Sequence, residues 1–186
     1  MDRGKLTKDL IDAAIGAKAH FDVWWTFESE GRLRFKQSIT DHSEYFGAAQ
    51  DAHYVAFFVY FAQLFDKRRD ASSIKAYLKL IKADIEPEQH AKLCRAHNCL
   101  NHRAQPILTI RHNLVAHTNA MLSEENVFST LDTTWFAMRD TIYKTSIFVA
   151  NIIGVSDPGQ IGIPRDGRLN EATIKLLRSL GEESDA

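Results

Sequence analysis

The sequence predicts an all-α fold, an antiparallel helical bundle with an extra C-terminal helix. Three observations carry that prediction. Apolar residues recur at steps of three and four through almost the whole chain. No alternating strand pattern longer than a few residues competes with them. Gly, Pro and short capping residues fall mostly between the periodic segments.

The elements follow in order. Leu6, Leu10, Ala14, Ala17, Phe21 and Trp24 share one face and predict a first helix that stops near Glu30 and Gly31. A polar stretch, residues 32–40, separates it from a second helix. That helix starts near Asp41 or Ser43, both good N-cap types, and runs to about Phe65. It carries the longest apolar run, residues 54–65, too short to span a bilayer. A charged turn over residues 66–72 follows, and Ser72 or Ser73 caps a short third helix. Pro87 opens a long fourth helix, in which Pro106 predicts a kink or a break and restart. Ser123 starts a fifth helix with acids in its first turn, and Gly154 ends it. The second and fifth helices are the most apolar, so they are expected at the centre. Residues 155–167 read as a Gly/Pro loop before a last short helix and an acidic tail. The expected division is a helical domain over residues 1–154 and an appendage over 155–186.

Composition narrows the function classes. The chain has 186 residues, 45% hydrophobic and 25% charged, enough for one core without staples. A net charge of −1 does not indicate a globally basic nucleic-acid binder, but local patches still steer RNA. Cys94 and Cys99 diverge by roughly 140° on a helix, so an internal disulfide is not expected. Reduced thiols and the absence of an apolar leader at the N-terminus suggest a cytoplasmic protein with no membrane partner. There is no Gly-rich phosphate loop, Gly-x-Ser-x-Gly elbow, His-Glu-x2-His pair or paired zinc-ribbon cysteines. Nucleotide hydrolysis, serine hydrolase chemistry and zinc protease chemistry therefore lack support.

The informative segment is residues 109–117, Thr-Ile-Arg111-His112-Asn113-Leu-Val-Ala-His117. It pairs an Arg with a His six positions later, at the end of a long helix. On an ideal helix the two lie about 9 Å apart along the axis and about 120° apart around it. They converge if both point toward one groove and the helix frays at His117. Asn113 and His117 share a face at i,i+4, so Asn113 can hold the imidazole in one tautomer. The bland alternative is an Arg paired with a neighbouring acid and a His favoured by the helix C-terminus.

This segment resembles the Arg-x4–6-His motif of the HEPN superfamily, in which the residue after the Arg is commonly Asn, Asp or His; here it is His112. The layout is similar to the AbiU2-like branch, linked to abortive phage infection. The shared features are the apolar helix ending at Phe65 and Asp66, the helix over residues 72–78, and the Val115-Ala116-His117 ending. The resemblance covers roughly residues 5 to 153. It implies metal-independent endoribonuclease activity with no cofactor, in phage defence or as the toxin of a toxin–antitoxin pair. It also implies an RNA substrate, a homodimer and a cognate antitoxin. Arg111 and His117 take the catalytic roles, with Asn113 and His112 as helpers. The expected products are a 2′,3′-cyclic phosphate and a 5′-hydroxyl. Because the family includes members that bind without cutting, a catalytically silent RNA- or protein-binding module is the alternative.

Other clusters have structural readings beside the functional ones. His90, Cys94 and His97 share a helix face and include zinc-ligand types. Three ligands within one straight helix rarely converge on one metal, so a buried Cys94 with half-exposed histidine side chains is the simpler reading. His53 beside the apolar run reads as a satisfied core histidine. Asp66 is placed to cap its helix, to pair with Arg68 or Arg69, or to orient Arg111. Lys67, Arg68 and Arg69 read as a solvated turn. Trp24, Trp25 and Trp135 fit core or interface positions.

Overall fold

The computed structural model describes residues 2–116, 131, 133–156 and 168–182. Eight α-helices and no strand occur among the described residues. The first helix, α1 (Arg3–Glu28), opens on Asp2, whose carboxylate accepts the Gly4 N–H at 3.0 Å. Leu6, Leu10, Ala14, Ala17, Phe21 and Trp24 are all buried, as their periodicity requires. The polar stretch expected after α1 is helical instead, folded as α2 (Glu30–Arg34) and α3 (Lys36–Asp41). Gly31 permits the sharp turn: a Cβ there would sit 2.1 Å from the Thr26 carbonyl oxygen. Phe35 and Ile39, isolated apolar residues in that stretch, pack against a small second core of Phe27, Phe46 and Leu177.

The helix α4 (Ser43–Leu64) begins after His42, with no side-chain cap, so neither Asp41 nor Ser43 fills that role. α5 (Ile74–Leu80) is capped by Ser73, which accepts the Ala76 N–H, and runs into a 3₁₀ turn (Ile81–Ala83). Ser72 instead bonds Asp9 at 2.6 Å. α6 (Pro87–Ile110) starts with its proline at the first turn. Pro106 does not break α6, which continues to Ile110.

The fifth predicted helix is not continuous, and it does not end where expected. Its expected start at Ser123 lies outside the described residues. α7 (Trp135–Ser156) starts afresh after a non-helical Thr133 and Thr134, and the Thr134 hydroxyl caps it from 3.2 Å. Gly154 does not stop it: the helix runs on to Ser156, the last described residue of this stretch, which is tied to Tyr77 by hydroxyls 2.7 Å apart and to Arg3 through its carbonyl at 2.7 Å. Residues 157–167 of the expected loop lie outside the described residues. α8 (Arg168–Glu182) packs back onto α1 and α3.

The centre of the bundle is α1, not the second and fifth helices. It is contacted by α4, α7 and α8. The reason is size: Ala13, Ala14, Gly16 and Ala17 let neighbours come close. A Cβ on Gly16 would meet the Tyr60 ring at 2.7 Å. By contrast α4, apolar on all sides, buries only part of its surface and turns Val55 and Val59 outward, 44% and 47% exposed. No helix of the described residues is long and apolar enough to cross a membrane.

A polar lock joins α1 to α7. Lys18 and Asp22, both buried, pair at 2.6 Å. Tyr143 donates its hydroxyl to the other Asp22 oxygen, and Lys18 lies 4.6 Å from the Tyr143 ring centre. Burial and the Asp22 carboxylate push the Tyr143 phenol above its ordinary value of 10.0. Removing the Tyr143 hydroxyl leaves a buried carboxylate oxygen short of a donor, so Tyr143→Phe should destabilise by roughly 1–3 kcal/mol. Asp22→Ala should cost more, roughly 3–5 kcal/mol, because it removes the carboxylate paired with a buried ammonium. The double change Lys18→Met with Asp22→Leu should recover most of that loss in urea unfolding curves.

Candidate functional site

Arg111 heads the segment in which the backbone changes character. Immediately after Ile110 the helix widens into a π-turn (Arg111–Ala116). Turns of this kind are rare and concentrate at functional sites. Pro106 sits five residues upstream and lacks the N–H that would serve the His102 carbonyl. The Arg111 N–H still reaches the Ile107 and Leu108 carbonyls, so the α-helix closes normally before it loosens.

The π-turn packs against α4 as well as α6. This puts Arg111 at an inter-helix seam. Its side chain is half-buried, and its Nε is buried with no hydrogen-bond partner among the described residues. A buried guanidinium nitrogen without an acceptor is uncommon and costly. Asn113 is half-buried and His112 is exposed. His117 lies outside the described residues, so the Asn113–His117 pairing does too.

Asp66 does not hydrogen-bond Arg111. It pairs with Arg68 at 2.9 Å and accepts the Arg68 backbone N–H at 2.9 Å, the second of the three roles open to it. Arg68 above all, and the more distant charge of Arg111 least, hold its carboxyl below the ordinary value. Arg111 therefore acts on Asp66 through charge alone, without a hydrogen bond. Lys67 and Arg69 are exposed, in keeping with a solvated turn.

A family model for AbiU2, of the HEPN class, matches residues 4–149. The chain belongs to the HEPN AbiU2 family. No curated protein matches the chain. No solved structure matches it either. The AbiU2 match runs from the start of α1 into α7 and includes the whole Arg111–His117 segment, while α8 lies beyond it.

The remaining candidates of this AbiU2 chain resolve into packing roles. His90 is bonded through Nε2 to the Leu78 carbonyl at 3.0 Å, tying α6 to α5. Cys94 is half-buried with its sulfur 3.7 Å from that imidazole, and Cys99 is an exposed free thiol. His97 stacks on Phe65, ring centres 6.2 Å apart. Among the described residues no group of three or more His, Cys, Asp or Glu side chains is arranged to hold a metal ion. Trp24 is core, and it meets the half-buried Trp135 at 4.4 Å. His53 is half-buried and faces His20 across α1 and α4, Nδ1 to Nδ1 at 2.8 Å. Sequence reading missed that partner because nothing local links residues 20 and 53. It missed the π-turn too, for which Pro106 was the one available signal.

His20, His53 and His97 are all held below the ordinary histidine value of 6.5, each chiefly by burial. The second effect on His53 is its His20 neighbour, and on His97 it is Lys75. Depressed folded-state values mean the unfolded chain takes up protons first. The histidine contribution is therefore present above 6.5 and lost as pH falls from there through the folded-state values. The urea midpoint should drop on acidification across that window. A His20→Gln, His97→Gln variant should show a flatter decline over the same window.

Proposed function

We propose that this AbiU2 protein is a metal-independent endoribonuclease of HEPN type, acting in phage defence or as the toxin of a toxin–antitoxin pair. The observation that carries the reading is the Arg111 guanidinium, half-buried at the head of a π-turn with its Nε unpaired among the described residues. A phosphate oxygen is the acceptor such a fork suits best.

The chemistry needs no bound cation. A general base takes the proton from a 2′-OH, and that oxygen attacks the adjacent phosphorus. The phosphorus–O5′ bond then breaks, and a general acid protonates the departing oxygen. The products are a 2′,3′-cyclic phosphate and a 5′-hydroxyl. Arg111 stabilises the charge on the crowded phosphorane. His117, with an ordinary value near 6.5, can serve as base or acid. Asn113 orients its imidazole, and the exposed His112 contacts the RNA backbone. One chain supplies one motif histidine for two proton-transfer jobs, so two copies pair to bring two motifs together. A cognate antitoxin would restrain the activity in the cell.

Purified protein incubated with total RNA in EDTA should yield fragments with cyclic phosphate ends. Replacing the general acid–base group in His117→Ala should slow cleavage by roughly 10²–10⁴-fold. Arg111→Ala should abolish it, and Arg111→Lys should not restore it, because an ammonium lacks the planar fork. All three should keep the helical circular-dichroism signal. Intact RNA after incubation with the wild type, whether bound or free, would refute the enzymatic reading.

A further inference from the structure

We infer that the outer face of α5 and α6 is the surface along which the phosphate backbone of an RNA strand lies, a placement that rests on the ribonuclease reading only for its end point at the Arg111 turn. Charge is unevenly distributed along this chain. Asp and Glu number 24 against 23 Lys and Arg, yet residues 71–83 and 89–116 contain no acid at all. Those two segments hold α5, its 3₁₀ turn and nearly all of α6. Lys75 and Lys79 are i,i+4 neighbours on α5, and Arg95 and His102 share the outer face of α6. All four are exposed, and among the described residues none forms an ion pair with a carboxylate. α5 lies against α6 here: the His90 ring bonds the Leu78 carbonyl at 3.0 Å, and the Lys75 charge, after burial, holds the His97 imidazole below its ordinary value. Around α6, Asn98 and His102 stand between His97 and Arg95, so exposed polar residues without an acid join the two sets of cations.

The chemistry of this face selects its occupant. Among the described residues no large hydrophobic side chain of α5 or α6 is exposed. A docked protein needs apolar or aromatic anchors at the centre of its interface, and this face has none. A row of phosphates needs only cations and hydrogen-bond donors. Glu86 stands at the α5–α6 corner where the face ends. Other bordering acids are paired: Glu88 with Lys92 at 2.9 Å, and Asp140 with Arg103 and Lys144 at 3.2 and 2.6 Å. From position 95 to position 111 the helix rises about 24 Å, or about seven nucleotides at about 3.4 Å per phosphate. It ends in the π-turn, where His112 is exposed and the Arg111 Nε is buried without a hydrogen-bond partner. Lys75, Lys79 and Arg95 are then positioning residues, which hold the strand and touch no reacting atom.

Fluorescence anisotropy of the full chain with a labelled 2′-O-methyl oligoribonucleotide of about twelve nucleotides reads binding alone, because the methylated oxygen cannot attack phosphorus. Lys75→Ala, Lys79→Ala and Arg95→Ala together should weaken binding at least ~10-fold. They should also make the fall of log affinity with log salt shallower by about 2, three phosphate contacts at about 0.7 each. Alanine is the best helix former, so this variant should keep its helical circular-dichroism signal. Lys5→Ala, Lys36→Ala and Lys175→Ala together remove the same net charge from exposed positions of α1, α3 and α8, and should leave affinity and salt slope unchanged. Polyglutamate of matched charge should displace the strand far less well than unlabelled strand does. A wild type that does not bind, a face variant that behaves like the control variant, or equal displacement by polyglutamate would each overturn the inference. In RNA cleavage the face variant should raise KM and leave kcat unchanged. Face-dependent binding by a wild type that leaves total RNA intact would refute the ribonuclease and leave this surface standing. Cleavage by a wild type whose face variant binds and cleaves normally would do the reverse.

Discussion

The close approach of α4 to α1 sets the positions of everything else. Gly16 lets the Tyr60 ring lie directly on the α1 backbone, and Phe21 meets Phe57 edge-on at 5.3 Å. Helices that pack this tightly have little freedom to slide. α7 then joins the other side of α1 through the Lys18–Asp22–Tyr143 lock, and α6 is held against α7 by the exposed Arg103–Asp140 pair and the shared apolar core. The seam that receives the Arg111 turn is a consequence of that order of packing.

The turn itself combines two unfavourable local features. A proline lies inside α6, and the helix widens just beyond it. A buried guanidinium nitrogen lacks an acceptor among the described residues. Elsewhere the described side chains are well satisfied: Asp22 holds two donors, and Ser156 holds together α1, α5 and α7. Local expense within an otherwise satisfied framework marks the segment on which the proposed function rests.

The two faces of α4 have different fates for one reason. Its phenylalanines are buried in the core, where they fill volume, while Tyr45, Val55 and Val59 point away. α8 covers Phe27 and Phe46 with Leu177, while Tyr45, Val55 and Val59 of α4 stay exposed among the described residues.

The sequence by itself determined the helical class, the buried face of α1, a serine cap at 72 or 73, the start of α6 at Pro87, and the Arg-x5-His segment. Each is written in residues within a turn or two of one another, where periodicity and capping chemistry act. The tertiary structure alone decided that α1 and not α4 is central, that residues 30–41 are helical, and that His20 finds His53. It also decided that Asp66 serves Arg68 rather than Arg111. Periodicity records that a face is apolar, but whether that face is covered depends on helices far away in the chain. A charge records that a partner is needed, but distance across the fold decides which one it meets.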